Sequence, residues 1–489
     1  MKNKGKNIVD AISKFYNQNK CLIKPILILT LIFLICFSSI IRADFDYIDD
    51  MGRKVSGYRG WSNFSRFLSS FFSIFIHSGK YLTDISPLTQ YIACLILAVS
   101  GVIILYVFTE RKKFKFIEYA SVLPIGITPY FLECISYKFD SPYMAFSILF
   151  GIFPLLFYKK SKIGYFIAST LGIIMVCTTY QPATGIFPML VILLSLKNWI
   201  NKESIKEIFQ YFGLSVAGYV LGLGIFNLFI MVPVNDYVSS SITLSLSTVI
   251  NNYSNYLNLI INDFNKTWFI LIGLLCIGFI MSLTINSKKN KIVTFIVSTL
   301  SLFLMGLLCF GLYPILSKPL FACRAMYVIG IFIMSLCIII ATSKKMHLFK
   351  LVSLILCWNF IVFSFTYGNA LSIQKEYTKF RISQTITDLK DIEIFKNEES
   401  IKIQITGTID KSKIVKNMST KYGILNRIIP VTFSNSNWTW GKKEFEEYYG
   451  LKKFEWVNFL DKNDLPMVID NIYNTIKVKD NCVLIELKN

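Results

Sequence analysis

Long apolar runs are the feature that most restricts what this chain can fold into. A run of about 17–25 apolar residues is long enough to cross the ~30 Å hydrocarbon core of a bilayer as a helix. Hydrophobic residues make up 54% of the 489 residues and charged residues only 17%, whereas average globular chains are about 25% charged. The sequence therefore predicts a polytopic α-helical membrane protein with about eleven transmembrane helices. The predicted spans are 22–41, 88–108, 115–135, 143–158, 163–180, 182–196, 207–232, 268–286, 292–313, 325–342 and 349–367.

The basic residues indicate how the chain is oriented in the membrane. Residues 1–367 contain 32 basic and 14 acidic side chains, and most of the basic ones lie in short segments between the apolar runs. Short basic loops mark the cytoplasmic side. We therefore expect a multi-pass membrane protein with its N-terminus in the cytoplasm and its C-terminus outside. The net charge of +21 is then a topology signal, and nucleic-acid binding is not expected.

Residue content disfavours several kinds of site. The eleven Cys include no CxxC pair, and Cys482 is the one cysteine in the polar C-terminal region, so no disulfide framework is expected there. Two His are too few for a typical histidine-based zinc site. No Walker A, Rossmann, GxSxG or HExxH motif is present, which disfavours a nucleotide-driven pump.

The predicted organisation has three parts: a cytoplasmic N-terminus (1–21), a transmembrane domain (22–367) with a long first outer loop (42–87), and an extracytoplasmic domain (368–489). The last part contains 19 basic and 16 acidic residues, a near-neutral balance that suits a small solvated α/β module.

Local patterns add detail to the outer segments. Residues 64–77 have apolar residues at helical spacing, which predicts an amphipathic helix lying in the membrane interface. Residues 233–267 are predicted to form a surface loop or short helices. In the tail, a helix is predicted at 375–389, strands at 401–407 and 482–487, and a turn at 435–440.

The first outer loop has the densest set of ionisable residues near the membrane. If the first helix continues past residue 41, Asp46, Asp50 and Arg53 share one of its faces. Two carboxylates at that spacing repel each other, which raises the pKa of one toward that of a useful base. Arg53 would steady Asp49 and leave Asp50 free. The alternative is a solvated loop in which Asp49 and Arg53 form an ordinary surface pair.

Further positions allow two interpretations from the sequence alone. Arg324, before an apolar run, either reaches to lipid headgroups or clamps a phosphate. Trp61 is either part of an aromatic interface belt or a platform for a sugar ring. Asp140-Ser141-Pro142 is typical of a helix N-cap, and Tyr180-Gln181-Pro182 is typical of a turn.

Taken in order, these short motifs resemble one known family. They are Asp49-Asp50-x-x-Arg53, Gly57, Trp61 and Arg66 after the first span, Asp84 to Leu88, Asp140-Ser141-Pro142, Tyr180-Gln181, Arg324, and Tyr367-Gly368-Asn369 followed by Gln374. Their order over most of residues 20–400 resembles the GtrII-type bacterial glucosyltransferases, multi-spanning enzymes of the GT-C class associated with O-antigen modification and serotype conversion. One departure is Asn63-Phe64-Ser65 before Arg66, where the family pattern leads us to expect a Gly.

The resemblance implies a GT-C-like fold in which acidic residues of the first outer loop lie at the membrane surface. It implies a polyprenyl-phosphate sugar as donor, such as undecaprenyl-phosphate glucose or another hexose. The implied acceptor is an exported surface glycan, such as the O-antigen of lipopolysaccharide. A polyprenyl-phosphate glycosyltransferase and a flippase would act upstream.

The resemblance also suggests roles for individual residues. Asp49 and Asp50 are the candidate catalytic bases, and Arg324 is the first candidate for the donor phosphate, with Arg53 and Arg66 in reserve. Direct displacement would invert the anomeric centre. No cofactor is expected: carboxylate clusters can bind a divalent metal, but the adjacent arginine already balances the charge. The candidates for substrate binding are Trp61, Asp84, Asp140, Tyr180 and Gln181.

Three other functions fit a chain of this class. A flippase or transporter for lipid-linked sugars should have ionisable residues at mid-bilayer and inverted repeats, but here charges gather at span ends and no such repeat is evident. An O-antigen polymerase usually has a large outer loop late in the chain, whereas the longest loop here is the first. A non-catalytic assembly protein is the weakest alternative.

Overall fold

The chain is mostly helical and ends in a small sheet. The computed structural model describes residues 2–232, 242–243, 245–390, 392, 401–431, 433, 440–448, 454–458 and 465–489. The α-helices are α1 (Lys2–Ala43), α2 (Asp49–Ser56), α3 (Phe67–Ile76), α4 (Leu88–Thr109), α5 (Phe116–Val122), α6 (Pro124–Ile127), α7 (Pro129–Ser136), α8 (Ser141–Ile152), α9 (Lys162–Thr179), α10 (Ile186–Ile200), α11 (Ile205–Ile225), α12 (Leu246–Asp263), α13 (Lys266–Asn286), α14 (Lys291–Leu307), α15 (Val328–Thr342), α16 (His347–Lys390), α17 (Lys413–Lys421), α18 (Leu425–Ile428) and α19 (Trp440–Lys443). The strands are β1 (Lys402–Thr406), β2 (Glu455–Trp456), β3 (Met467–Asp470), β4 (Asn474–Lys479) and β5 (Cys482–Leu487).

Eight helices in the described part of the chain are long and apolar enough to cross a membrane. Each coincides with a predicted span, so the helical membrane architecture agrees with the sequence, while the predicted count of eleven is not confirmed. The eight are Lys20–Ala43, Leu88–Thr109, Lys162–Thr179, Gln181–Ile200, Ile205–Ile230, Lys266–Asn286, Lys291–Phe310 and His347–Lys390.

The other three predicted spans form shorter or broken helices at the centre of the bundle. The run at 115–135 is interrupted by Pro124 and Pro129 and gives α5, α6 and α7. The runs at 143–158 and 325–342 give α8, of 12 residues, and α15, of 15. Nearly all of their side chains are buried. Interrupted backbone at membrane depth is tolerated where protein excludes lipid, which explains why these central helices are short.

Helix α1 ends too early for Asp46, Asp50 and Arg53 to lie on one continuous helix. Helix α1 stops at Ala43, and the backbone turns through positive φ angles at Asp44 (45°) and Ile48 (48°) before α2 begins at Asp49. The prediction that Asp46 shares a helical face with Asp50 is therefore wrong. The physical reason is the left-handed conformation at Asp44, which Asp tolerates better than most residues and which ends the helix.

The amphipathic stretch at 64–77 contains α3, and this helix turns its apolar face outward. Phe67, Phe71 and Phe75 are exposed, whereas Ser69 and Ser73 are fully buried. The Ser69 hydroxyl donates to the carbonyl of Thr179 at 3.1 Å. Serines toward the protein and phenylalanines outward are what a helix in contact with lipid requires.

The loop predicted at 233–267 is in part a regular helix. Residues 233–241 and 244 lie outside the described residues, and the 18-residue α12 occupies most of the remainder. It ends at Asp263, whose buried carboxylate pairs with Arg427.

The tail contains the predicted helix and both predicted strands. Helix α16 runs without interruption from His347 to Lys390, so the expected boundary at 367/368 falls inside it. The five strands form one sheet in the order β2-β1-β5-β4-β3, with β1 parallel to β2 and β5 and the other pairs antiparallel. Ile382 and Ile386 of α16 share a core with residues of this sheet. Of the predicted turn, residues 435–439 lie outside the described residues, and Trp440 begins α19.

Residues 412–431 of the tail pack into the main core rather than the sheet's core. The Tyr422 ring stacks on Trp268 of α13 with centroids 5.5 Å apart. The backbone carbonyl of Ile428 accepts a hydrogen bond of 2.8 Å from the Tyr47 hydroxyl. This segment therefore joins the tail to the first outer loop and to a span.

Candidate functional site

Asp50 is a buried anchor of the first outer loop. Its side chain is fully buried and accepts hydrogen bonds from three backbone N–H groups: those of Tyr47 (3.1 Å), Lys138 (2.9 Å) and Phe139 (3.3 Å). Burial raises the pKa of Asp50 well above its usual value, while the Lys138 N–H and the Arg53 charge act in the opposite direction. The structure thus places Asp50 where it joins α2 to the segment between α7 and α8.

Asp49, its neighbour, is half-buried and acts electrostatically on the groups around it. Burial lowers the pKa of Arg53, but the carboxylates of Asp140, Asp49 and Asp50 raise it more. Burial raises the pKa of Tyr58 to about 12, with Arg53 opposing and Asp49 adding to the rise. The Asp49 charge therefore acts on Arg53, in line with the prediction that this pair interacts. The prediction that Asp50 is left free is wrong, because Asp50 is the carboxylate that is enclosed.

Arg53 belongs to a buried group with Asp140 and Trp61. Its guanidinium forms an ion pair with Asp140, and both side chains are buried. The Trp61 indole N–H donates to the other Asp140 oxygen, and the Arg53 guanidinium lies 4.7 Å from the Trp61 ring centroid. Asp140 holds the N-cap position of α8 as predicted, but its side chain makes no capping hydrogen bond. Instead it orients the arginine and the indole.

Arg324 is paired with a residue that the sequence analysis did not select. Its guanidinium donates to the buried Glu133 carboxylate at 3.0 Å, and its backbone N–H donates to the other Glu133 oxygen. The signal for Glu133 was available, because an acidic residue inside an apolar run is a functional candidate by default.

Tyr137 brings these groups into one neighbourhood. Its ring centroid lies 5.6 Å from the Arg324 guanidinium. Burial raises the pKa of Tyr137 well above its usual value, with Arg324 opposing and Glu133, Asp49 and Asp140 contributing to the rise. Four charged groups from α2, α7, the N-cap of α8 and the segment before α15 therefore lie close to one buried phenol.

A second group of polar residues surrounds Lys138. Its buried ammonium pairs with Asp44, with Asp46 at 2.7 Å and with Asp84 at 3.6 Å. Asp84 also accepts hydrogen bonds from the Ser86 hydroxyl and N–H, and it lines a different hollow from the one described next. Within the described ranges no three acidic, histidine or cysteine side chains are arranged to hold a metal ion. The expectation that no cofactor is needed stays a prediction.

Arg66 lies at the edge of an apolar cavity of about 390 Å³. Its Nε donates to the Gln181 side-chain oxygen at 3.1 Å, and its guanidinium lies 4.5 Å from the Tyr180 ring centroid. The Gln181 amide in turn donates to the Phe64 carbonyl at 2.9 Å. Among the described residues no carboxylate lies within ion-pair distance of Arg66, whereas Arg53 and Arg324 each have one.

The cavity is lined mainly by apolar side chains from α9, α11 and the segment after α14. Beside it, α11 passes into a π-helical turn, Phe226–Ile230, a widening of the helix that is frequent at functional sites. The lining residues are Phe64, Arg66, Cys177, Gln181, Thr184, Leu223, Gly224, Phe226, Asn227, Met231, Ile242, Leu312, Tyr313, Ile315 and Leu316.

The sequence of this region matches a known protein family. Residues 38–336 match the family model described as glucosyl transferase GtrII, and this segment carries every site residue discussed above. The chain belongs to the GtrII glucosyltransferase family. Membership assigns it glycosyltransferase activity and agrees with the resemblance seen in the motifs.

A GtrII chain of this kind has a relative in a bacteriophage. The "uncharacterized 55.3 kDa protein in gtrB 5′ region" of Salmonella phage P22 is 24% identical over 420 residues, which cover 81% of this chain and 84% of that protein. No solved structure matches the chain.

The structure groups the predicted GtrII site residues into three clusters. Trp61, Asp140 and Arg53 form one, and Arg66, Tyr180 and Gln181 form another. Asp84 belongs to the third, around Lys138. Arg324 lies with Glu133 and Tyr137 close to the first. The charge partners Glu133 and Lys138 are the residues that sequence reasoning missed.

Proposed function

We propose that this chain transfers glucose or another hexose from a polyprenyl-phosphate sugar to an exported glycan, such as an O-antigen, at the outer face of the bacterial plasma membrane. The proposal combines the family's glucosyl transfer with an apolar cavity that ends at an arginine. It includes the orientation predicted from the basic loops, with residues 368–489 outside. A polyprenyl-phosphate glycosyltransferase and a flippase would supply the donor.

The observation that carries the proposal is the charge state of the three candidate arginines. When the bond between the sugar and the phosphate breaks, its electron pair stays on a phosphate oxygen, and a cation stabilises that charge. Arg53 and Arg324 are already neutralised by buried carboxylates. Arg66 has no such partner among the described residues and lies at an apolar cavity, so it takes the phosphate in this proposal. Arg324 then serves to position its neighbours.

Asp49 is the base in this proposal. The acceptor hydroxyl attacks the anomeric carbon and gives its proton to the carboxylate, which must be within hydrogen-bond reach. Asp50 cannot reach an acceptor hydroxyl in the described conformation, because it is fully buried and its oxygens accept hydrogen bonds from three backbone N–H groups. Attack opposite the departing phosphate inverts the anomeric centre. Trp61 is almost fully buried, with Arg53 over its ring, so in this proposal it positions that arginine and does not itself contact the sugar.

The test uses membranes that contain the full chain, given polyprenyl-phosphate [14C]glucose and a lipid-linked glycan. Arg66→Gln should raise the donor KM and lower the transfer rate by about tenfold or more, because a charge-assisted contact to phosphate is lost. Arg66→Lys should restore part of the activity, since the positive charge remains.

Arg59→Gln is the matched control, because Arg59 lies on the same loop, donates to the Ser70 carbonyl and does not line the cavity. It should transfer label at the unaltered rate. Normal transfer by Arg66→Gln would remove Arg66 from the phosphate site. A lack of transfer by the unaltered chain with every polyprenyl-phosphate hexose would contradict the proposed donor class.

A further inference from the structure

A second apolar cavity, of about 320 Å³, lies between α10, α11 and α14. Only apolar atoms form its lining, although the Tyr219 side chain borders it. All three helices are among those long enough to span a membrane. The mechanism proposed above does not use this cavity.

One face of α11 lines both cavities in succession. Phe212, Val216 and Tyr219 of α11 border the second cavity. Leu223 of α11 and Asn227 of the π-helical turn that continues it border the first. Their spacing of four, three, four and four residues keeps them on one side of a helix. From Phe212 to Asn227 the helix rises by about 22 Å at 1.5 Å per residue. The two cavities therefore follow one another along the membrane-spanning direction of α11.

A hydrogen bond links the linings of the two cavities. The Tyr219 hydroxyl donates to the backbone carbonyl of Thr184 at 3.1 Å, and Thr184 lines the first cavity. Val216 and Val220, which lie near Tyr219 on α11, are 49% and 61% exposed. A flexible chain can thus pass from one cavity to the other along the exposed side of α11.

We propose that the second cavity holds the distal isoprene units of the donor lipid, while the first holds the units next to the phosphate. This inference rests on the proposed function, because it takes the phosphate to be at Arg66. An isoprene unit adds four main-chain bonds of about 1.5 Å, so about four or five extended units cover the distance along α11.

The physical basis of recognition here is shape. Lipid tails are as apolar as the cavity walls, so there is little hydrophobic gain when a tail leaves the bilayer for the groove. Selectivity must then come from van der Waals packing of the branched, unsaturated isoprenoid against Phe212 and Tyr219, and modest effects of donor length are expected.

The first experiment locates the tail directly. The full-length protein in vesicles is irradiated with a polyprenyl phosphate that carries a diazirine on its fourth isoprene unit. Crosslinks are expected in peptides with residues 187–192, 212–219 or 304–308, and undecaprenyl phosphate should compete for them. Crosslinks confined to residues around Leu223–Asn227 would overturn the inference. Equal competition by dioleoyl phosphatidic acid would also overturn it, since the cavity would then hold any lipid chain.

The second experiment blocks the distal cavity. Val216→Trp should raise the donor KM for the undecaprenyl donor about three- to tenfold, while the KM for a donor with two isoprene units stays unchanged. Val293→Trp is the matched control, because Val293 is similarly exposed (46%) and borders neither cavity. Equal changes for both donors, or none for either, would contradict the inference. Absence of transfer from both donors by the unaltered chain would instead contradict the proposed function.

Discussion

Among single residues, Asp49 and Asp50 show how differently two adjacent side chains of one type can be used. Asp50 is fully buried and accepts hydrogen bonds from the backbone of the first outer loop and of the segment between α7 and α8. Asp49 is half-buried and acts electrostatically on Arg53, Tyr58 and Tyr137. The local sequence cannot distinguish them, because the difference comes from Lys138 and Phe139, nearly ninety residues further along the chain.

The pair yields a prediction that separates catalysis from stability. Asp49→Asn should lower transfer by a factor of about 10²–10⁴, the usual contribution of a general base, and leave thermal unfolding nearly unchanged. Asp50→Asn should reduce the free energy of unfolding by about 1–3 kcal/mol, because the new amide N–H groups face backbone donors. Transfer rate per folded protein and the unfolding midpoint in detergent measure the two effects. Full transfer by Asp49→Asn would remove Asp49 from the mechanism.

Among elements, the Lys138 cluster joins parts of the chain that are far apart in sequence. The ammonium lies between α7 and α8 and pairs with carboxylates from the turn after α1 and from the segment before α4. Burial raises the pKa of Asp44 and of Asp84, but hydrogen bonds and the Lys138 charge outweigh it, so both pKa values lie below their usual range. Such depressed values stabilise the fold above about pH 4 and lose that effect as the pH falls through them.

Lys138→Met should therefore destabilise the protein in a pH-dependent way. At pH 7 the variant leaves Asp44 paired only with Lys375, and Asp46 and Asp84 paired only with Lys54. Because the buried cation between the three carboxylates is lost, the unfolding midpoint should fall below that of the unaltered protein. Near pH 3 the carboxylates become protonated, and the difference between the two midpoints should shrink. Thermal unfolding of the detergent-solubilised proteins at both pH values measures this. A difference that grows toward low pH would contradict the assignment.

Across the whole molecule, the tail is tied to the membrane-spanning part at more than one place. Helix α16 belongs to both cores, and Arg427 of α18 pairs with Asp263 and donates to the Phe321 carbonyl. Phe321 lies three residues before Arg324. The tail thus supports the segment that carries a residue of the candidate site.

Arg427→Met tests this connection. The Asp263 side chain is almost fully buried, and removing its cation should cost about 3–5 kcal/mol, as for other broken buried pairs. The double variant Arg427→Met/Asp263→Asn should recover much of that loss. In the unaltered protein the Tyr130 hydroxyl donates a hydrogen bond of 2.9 Å to Asp263, and the neutral amide oxygen of Asn can still accept that bond. The measurement is the unfolding midpoint of each variant, compared with that of the unaltered protein. Equal destabilisation by the single and double variants would show that the loss does not come from an unpaired charge on Asp263.

The sequence predicts the parts of this molecule that depend on local patterns. Eight spans, α3 and the strands β1 and β5 follow from apolar periodicity, which is a property of neighbouring residues. The number of spans does not follow, because Pro124 and Pro129 break one predicted span into three helices. The short helices α8 and α15 are tolerated because other parts of the protein enclose them. The site residues come from motif resemblance, but their partners do not: Arg53 and Asp140 are 87 residues apart, and only the folded chain reveals that pairing.

Helix α3 has a consequence for how the enzyme fits different membranes. Its N-cap is Arg66, and its three exposed phenylalanines would keep the helix in the interface between water and lipid. The Arg66 guanidinium at the end of an interfacial helix would keep the same depth relative to the lipid headgroups, even where the bilayer is thinner or thicker. The phosphate of a lipid donor has its own depth set by the same boundary, so donor and arginine would remain level with each other in hosts of differing lipid composition.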